Sequence, residues 1–462
     1  QCGSSTPETI PGNLAQLSGA ANGDYLKVDD LNVTKNTFSF SCWIKPNGIQ
    51  QDYSAIFNTQ DNNDSFALNF LNGDNTIGFH PTWWWSSGLQ APPNQWSHVA
   101  LVSNGTNVKI YVNGVESVNN TALPAEAVTA LDIGRYGRGW ANRYTNLELD
   151  EVCIWNRALT IDEIRQWRHL TKSNANDPIT NDLVAYYQFN ESSGNLSINK
   201  MANTSHITYN GTSGSNHNPS SVSVFDGISQ KINVNSAGVK DFSTTGLSIT
   251  FANGTYPDGD IWVSKGSINP DILPDALKDF SSYTIINNYG INQTFTPLTS
   301  ISFTDNTAYT ITNSNDYNLY KRDSNAFGNT WGTILDNADA ITGANGATTQ
   351  ISFSDGLYIN SFSQFILSNN NNTLSIPDNE LINKPSLYPN PLSKNDNLTI
   401  NVPESWDNST LVVYNMLGQK VIQASLNIGE NLLKLNTNTG IYNVVIFNSK
   451  QKLTKKLILN HL

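Results

Sequence analysis

Thr37-Phe38-Ser39-Phe40-Ser41-Cys42-Trp43-Ile44-Lys45-Pro46 alternates apolar and small polar side chains, the period-two pattern of a strand with one face on a core. Outward from it the pattern recurs at short spacing. Tyr25-Leu26-Lys27-Val28 precedes it; Ser65-Phe66-Ala67-Leu68-Asn69-Phe70, Trp96-Ser97-His98-Val99-Ala100-Leu101-Val102, Val108-Lys109-Ile110-Tyr111-Val112 and Leu149-Asp150-Glu151-Val152-Cys153-Ile154-Trp155 follow. Asn104-Gly105 and Asn113-Gly114 separate apolar runs, and Asn-Gly in that position is the strongest short hairpin signal. Many short strands with such turns predict a sandwich or barrel over residues 13–172. One helix is expected, because Thr160-Ile161-Asp162-Glu163 is a capping box and Ile161, Ile164 and Trp167 repeat at helical spacing. It is expected to plug the edge of the sandwich.

The 462 residues allow roughly three domains at about 150 residues each. Only 14% of residues are charged and 38% are hydrophobic, so Asn, Ser, Thr and Gly must cover the surfaces. Those residues favour turns and strands over helices, and the expected fold class is all-β. Residues 173–220 are rich in Asn, Ser and Gly apart from Leu183-Val184-Ala185-Tyr186-Tyr187-Gln188-Phe189-Asn190, and read as a connector with a strand or two. Residues 221–368 carry another run of short strands, among them Leu247-Ser248-Ile249-Thr250-Phe251 and Tyr283-Thr284-Ile285-Ile286, which predicts a second β-sandwich. Residues 369–384 open with four asparagines and read as a linker, since such a run buries too little apolar area to order itself. Residues 385–462 read as a separate last domain.

A net charge of −12 argues against nucleic acid as a partner. No apolar stretch approaches the roughly 18 residues of a membrane-spanning helix, so no transmembrane segment is expected. The chain begins at Gln1 without a charged-then-apolar leader, so an export signal is expected to have been removed. Cys2 in second place argues against lipidation at a first cysteine. Cys2, Cys42 and Cys153 cannot all pair within one chain and fit no zinc pattern. A Cys42–Cys153 disulfide is one reading, and two small hydrophobes in a sandwich is the other.

The segments 37–46, 95–100, 108–114 and 149–159 resemble, in this order, a LamG-like, concanavalin A-like jelly roll. That resemblance implies a fold and no particular ligand. It also implies one structural Ca²⁺ held by an acid of the Asp-Glu-Val strand and by oxygens near the first strand, here Asp150 and Asp24; the other reading makes Asp150 a plain edge-strand residue. The chain departs from the pattern at Leu17-Ser18-Gly19, where relatives carry Phe-Asp-Gly. From Tyr388 the tail reads Tyr-Pro389-Asn390-Pro391, with Gly418 and Gly440 at turns and Lys455-Lys456 near its end. This resembles the type A C-terminal sorting domain of cargo of the Bacteroidota type IX secretion system. The resemblance implies an immunoglobulin-like β-sandwich, passage through the periplasm, and arrival at the cell surface or outside the cell. It implies recognition by a PorV-like shuttle protein and a SprA-like outer-membrane translocon, and a join at which a protease-sortase cuts.

Two constellations are candidates for chemistry. Trp83-Trp84-Trp85 would, on strand alternation, send Trp83 and Trp85 to one face. With Arg135, Tyr136, Arg138 and Trp140, and Arg143 and Tyr144 beyond, they offer aromatic faces for a sugar ring and guanidinium donors for its hydroxyls. The plainer reading puts Trp84 and Trp140 in the core. Catalysis has weaker support. There is no HExxH or Gly-x-Ser-x-Gly, and His98 reads as a satisfied core residue. Glu148-Leu149-Asp150 places two acids on one strand face, as a polysaccharide-cleaving pair would need. The expected function is glycan binding or adhesion to a surface polysaccharide, with a glycoside hydrolase or a purely structural cargo as alternatives.

Overall fold

The computed structural model describes residues 12–19, 23–31, 33, 37–59, 66–80, 84–117, 128–136, 143–171, 180–202, 204–211, 217–266, 269–274, 280–305, 314, 317–342, 349–369, 384–394, 396–448 and 452–460. The chain divides into two compact units, Gln1–Asn370 and Asn371–Leu462. The all-β expectation holds, with three sandwiches among the described residues.

The first sandwich is built from two eight-stranded sheets. Its first sheet runs β10 (Val115–Glu116), β9 (Val108–Val112), β8 (Ser97–Asn104), β3 (Thr37–Pro46), β14 (Asn146–Trp155), β1 (Asn13–Ser18) and β18 (Asn218–Pro219), with β15 (Leu183–Tyr187) also on β14. The second runs β16 (Leu196–Ser197), β17 (Ile207–Asn210), β2 (Tyr25–Val28), β11 (Leu131–Ile133), β4 (Ala55–Thr59), β5 (Ala67–Leu71), β6 (Thr76–His80) and β7 (Trp85–Gln90). A two-stranded ribbon, β12 (Arg135–Tyr136) with β13 (Arg143–Tyr144), extends β11. Alternation works as read: Phe38, Phe40, Cys42 and Ile44 of β3 enter the core with Val99, Leu101, Ile110 and Leu149. Asn113 and Gly114 have φ of 53° and 75°, the left-handed pair that a two-residue hairpin turn requires.

Residues 173–220, expected as a connector, contribute β15, β16, β17 and β18 to this sandwich. Tyr186 faces Cys153 on β14, and Ile207 faces Val28 on β2. Their short polar flanks hid them, because each strand's partner lies far back in the sequence.

The outer face of the first sheet is also buried. Helix α1 (Ile161–Trp167), capped as read by Thr160 and Glu163, lays Ile164 and Trp167 over Trp155, Tyr111, Ala100 and Tyr186. It covers a sheet face rather than plugging an edge. Cys153 lies under it, while the neighbouring Cys42 points into the core between the sheets, so both remain free thiols. Further along the same face Trp43 and Trp96 pack on Leu14, Val222 and Val224.

Beyond that face lies the second sandwich. Its six-stranded sheet comprises Gly227–Val234, Gly259–Gly266, Phe280–Asn288, Gln364–Asn369, Tyr317–Arg322 and Asp336–Asn337. A five-stranded sheet, centred on Ser300–Asp305, closes over a core of Ile261, Val263, Ile301, Phe303, Phe353 and Phe365. The outward residues Tyr283, Ile285 and Ile366 bury Leu170 and Phe225, with Phe225 and Tyr283 ring centroids 5.2 Å apart.

The terminal unit has a three-stranded sheet, Ser386–Tyr388, Asn397–Val402 and Gly429–Lys434. A five-stranded sheet, Leu392–Ser393, Lys452–Asn460, Gly440–Phe447, Thr410–Tyr414 and Lys420–Ser425, faces it. Leu398, Ile400, Trp406, Leu411, Val444, Ile446, Leu457 and Leu459 fill a core of its own.

Candidate functional site

The second sheet of the first sandwich turns Leu26, Val28, Leu68, Phe70, Ile77 and Phe79 inward, so the alternate residues face away from the core. Strand register sets Thr208, Lys27, Asp132, Asn58, Ala67 and His80 side by side across β17, β2, β11, β4, β5 and β6. Ala55 and Ala67 are small, and Trp84 and Tyr136 lie on them. Around the Trp84 ring stand His80 at 4.1 Å, Tyr53 at 4.3 Å and Tyr136 at 5.3 Å, centroid to centroid. The Arg143 guanidinium sits 4.9 Å from the Tyr53 ring and 5.9 Å from that of Tyr136. Arg135 pairs with Asp132 and stacks 3.6 Å above the Tyr25 ring. Burial raises the Tyr136 hydroxyl above its ordinary range, with Arg143 pulling the other way, so it stays a protonated donor. The buried Asn58 Oδ1 and Asn69 Oδ1 accept no hydrogen bond from any described residue. The result is a half-buried aromatic and guanidinium surface bordered by acceptors that still want donors.

This surface shares Arg135, Tyr136 and Arg143 with the residues read from the sequence and differs in its tryptophan. Trp85 starts β7 and packs against the main core, whereas Trp84 lies in the cluster. Trp83, Arg138 and Trp140 lie outside the described residues. Tyr53, His80 and Trp84 were missed. Tyr53 occupies a turn at φ 68°, a placement that no periodicity announces.

The two acids of the catalytic alternative do not share an open cleft. Glu148 is ion-paired with Lys45 at 2.6 Å. Asp150 is fully buried, accepting from Ser220 Oγ at 2.6 Å and from the Glu151 N–H at 2.7 Å. Burial, then the neighbouring Glu151, push its carboxyl well above the usual range.

Asp24 and Asp150 do not fit a shared Ca²⁺ site either. Asp24 accepts from the Ser18 N–H at 3.2 Å, at one end of β1. Register puts Asp150 beside the other end, where Ala15 faces Leu149, so about four residues and about 13 Å separate them. Among the described residues no three His, Cys, Asp or Glu side chains gather as a metal would need.

In the terminal unit the landmark residues meet. Asn390 Nδ2 donates to the Lys456 carbonyl at 2.8 Å and its Oδ1 accepts from the Ile458 N–H at 3.0 Å. The amide thus serves the last strand as a neighbouring strand would, and fixes the Pro389-Asn390-Pro391 segment beside Lys455 and Lys456. Both lysines are exposed. Gly418, at φ 77°, closes the turn whose N–H groups Asn415 Oδ1 accepts. Gly440 opens the strand that pairs with the last one.

Residues 386–460 match the family described as secretion system C-terminal sorting domain. The chain is a cargo of the type IX secretion system. Export takes this cargo to the cell surface or the extracellular space, and no helix among the described residues is long and apolar enough to cross a membrane. Its residues 20–165 match the concanavalin A-like lectin/glucanases superfamily.

Solved structures similar to the cargo include a Bacteroides ovatus protein proposed to bind carbohydrate. It is 19% identical, with 43% of this chain and 60% of that one covered and a TM-score of 0.35. Domain 4 of the arabinanase AbnA from Geobacillus stearothermophilus, solved with arabinotriose, is 26% identical over 34% of this chain and 77% of that one, TM-score 0.29. A pentraxin from Limulus polyphemus is 16% identical over 44% and 95%, TM-score 0.31. The cargo thus spans about three fifths of the Bacteroides ovatus protein. No curated protein matches the chain.

Proposed function

We propose that the exported protein is a glycan-binding or adhesin-like cargo whose site is the outer face of the second sheet around Trp84. One observation carries this reading: Tyr53, Trp84 and Tyr136 converge with the Arg143 guanidinium over a floor of alanines. Indole and phenol faces stack on the apolar C–H face of a pyranose. The Arg143 guanidinium donates to sugar oxygens. The matched superfamily, whose description names lectins and glucanases, is consistent with a sugar ligand.

A glycan array probed with the whole chain tests the proposal. At least one polysaccharide is expected to bind, and Trp84→Ala to weaken it about tenfold with the fold intact. Silence across the array favours a cargo with no ligand of its own; turnover abolished by Glu148→Gln favours the hydrolase. Handling by a PorV-like shuttle and a SprA-like translocon through residues 385–462 completes the reading. Asn390 and the exposed Lys455 and Lys456 are its proposed contacts, tested by crosslinking the cargo to each partner in its host.

A further inference from the structure

Between the two sandwiches of the first unit lies a cleft of about 400 Å³, on the opposite side of the jelly roll from the aromatic cluster. Its lining includes Arg168, the residue that ends α1, and Arg165 one turn before it. Arg168 is only 4% exposed. Its guanidinium donates to the Asn113 carbonyl at 3.0 Å, Asn287 Oδ1 at 3.2 Å, Tyr289 Oη at 3.1 Å and Asn325 Oδ1 at 2.6 Å. Every one of these acceptors is neutral. Among the described residues Arg168 forms no ion pair, and its buried Nε has no hydrogen-bond partner there.

A buried charge without a counter-charge is costly, and proteins normally pair it. Among the described residues of this unit, the other buried arginine, Arg322, shows the normal arrangement, with Asp271 at 2.6 Å. The field of Arg168 reaches its neighbours: after burial itself, it is the next cause of the lowered affinity of His98 and His169 for protons. Arg165 adds a second guanidinium, stacked 4.0 Å from the Tyr289 ring and 3.8 Å from the nearest Asp260 oxygen.

The cleft is far larger than a bare ion needs and falls in the size range of small-molecule sites, about 300–1,000 Å³. Amides of Asn287 and Gln293 and the Tyr289 hydroxyl supply partners for hydroxyl groups. We propose that this cleft binds the oxyanion of an acidic sugar, a carboxylate or a sulfate ester, with Arg168 as its counter-charge. The guanidinium fork suits either group. The inference stands apart from the glycan site on the jelly roll.

Calorimetric titration of the whole chain tests it with D-glucuronate, N-acetylglucosamine 6-sulfate and, as neutral control, glucose. At least one acidic sugar is expected to bind and glucose not to; which one binds distinguishes carboxylate from sulfate. Val115 lines the mouth and is 49% exposed, so it can be changed without disturbing Arg168. Val115→Glu is expected to weaken binding about tenfold by repulsion, and Val115→Gln by less than about twofold. Arg168→Gln is expected to abolish binding; should that chain fail to fold, the Val115 pair decides. Binding of neither acidic sugar, equal binding of glucose, or indifference to Val115→Glu overturns the proposal. So does loss of acidic-sugar binding in Trp84→Ala, which moves the site to the aromatic cluster.

Discussion

Two histidines at the base of the first sheet's outer face carry an acid sensitivity. His98 and His169 flank the Trp43 ring at 5.6 and 5.4 Å, and each leaves one ring nitrogen without a partner among the described residues. Burial, and then Arg168, bring His98 down to about 3 and lower His169 well below its ordinary 6.5. The unfolded chain therefore takes up these protons first, and stability is lost as pH falls below 6.5. Asp150 works in the opposite sense, because its raised carboxyl holds a proton in the folded chain at a pH where the unfolded one has released it. Two histidines stand against one carboxyl, so urea unfolding is expected to show the first unit losing stability as the pH falls below 6.5. In Asp150→Asn the offset disappears and the slope steepens; a flat profile in both chains contradicts the assignment.

At this scale the sequence was least legible. His98 reads in the sequence as a satisfied core residue, yet its Nδ1 has no partner among the described residues. Strict alternation points to Trp83 and Trp85 rather than Trp84, whereas β7 begins only at Trp85 and its register with β6 shifts between Thr76 and Gly78. In the terminal unit, Asn390→Ala removes two hydrogen bonds to the last strand. Faster amide exchange at Ile458 is the expected sign, with a loss of about 1–2 kcal/mol.

Among the elements, those with a local signal were legible. The capping box at Thr160 and the Asn113-Gly114 turn formed as read, since each is decided within a few residues. What the elements pack against was not. Helix α1 rests on the outer face of a sheet, and β15 to β18 close a jelly roll that began about 170 to 200 residues earlier. Gly114 shows the same dependence: a Cβ there would meet Tyr289 Oη at 2.5 Å, from the second sandwich. Trp167 seals α1 against Trp155 and Tyr186, at ring distances of 6.0 and 5.9 Å. Trp167→Ala is expected to cost about 3–5 kcal/mol, against about 1 kcal/mol for Thr160→Ala, by thermal or urea unfolding. Equal costs would mean that the helix owes its place to its cap rather than to its buried face.

For the whole molecule, the division into Gln1–Asn370 and Asn371–Leu462 matters most. The first two sandwiches share apolar and polar contacts and form one unit, while the last keeps its own core of Leu398, Trp406, Val444 and Leu457. Removing residues 385–462 is therefore expected to leave the unfolding midpoint of the first unit within about 2 °C of the full chain. How closely the forward sandwiches join is not legible in the sequence, because Arg168 meets Asn287, and Phe225 meets Tyr283, only in three dimensions. The most direct measurement is fractionation of the native host expressing the protein with and without residues 385–462. The account predicts that the full chain reaches the surface or medium while the shortened one, still folded, accumulates in the periplasm; a shortened chain exported as well as the full one would contradict it.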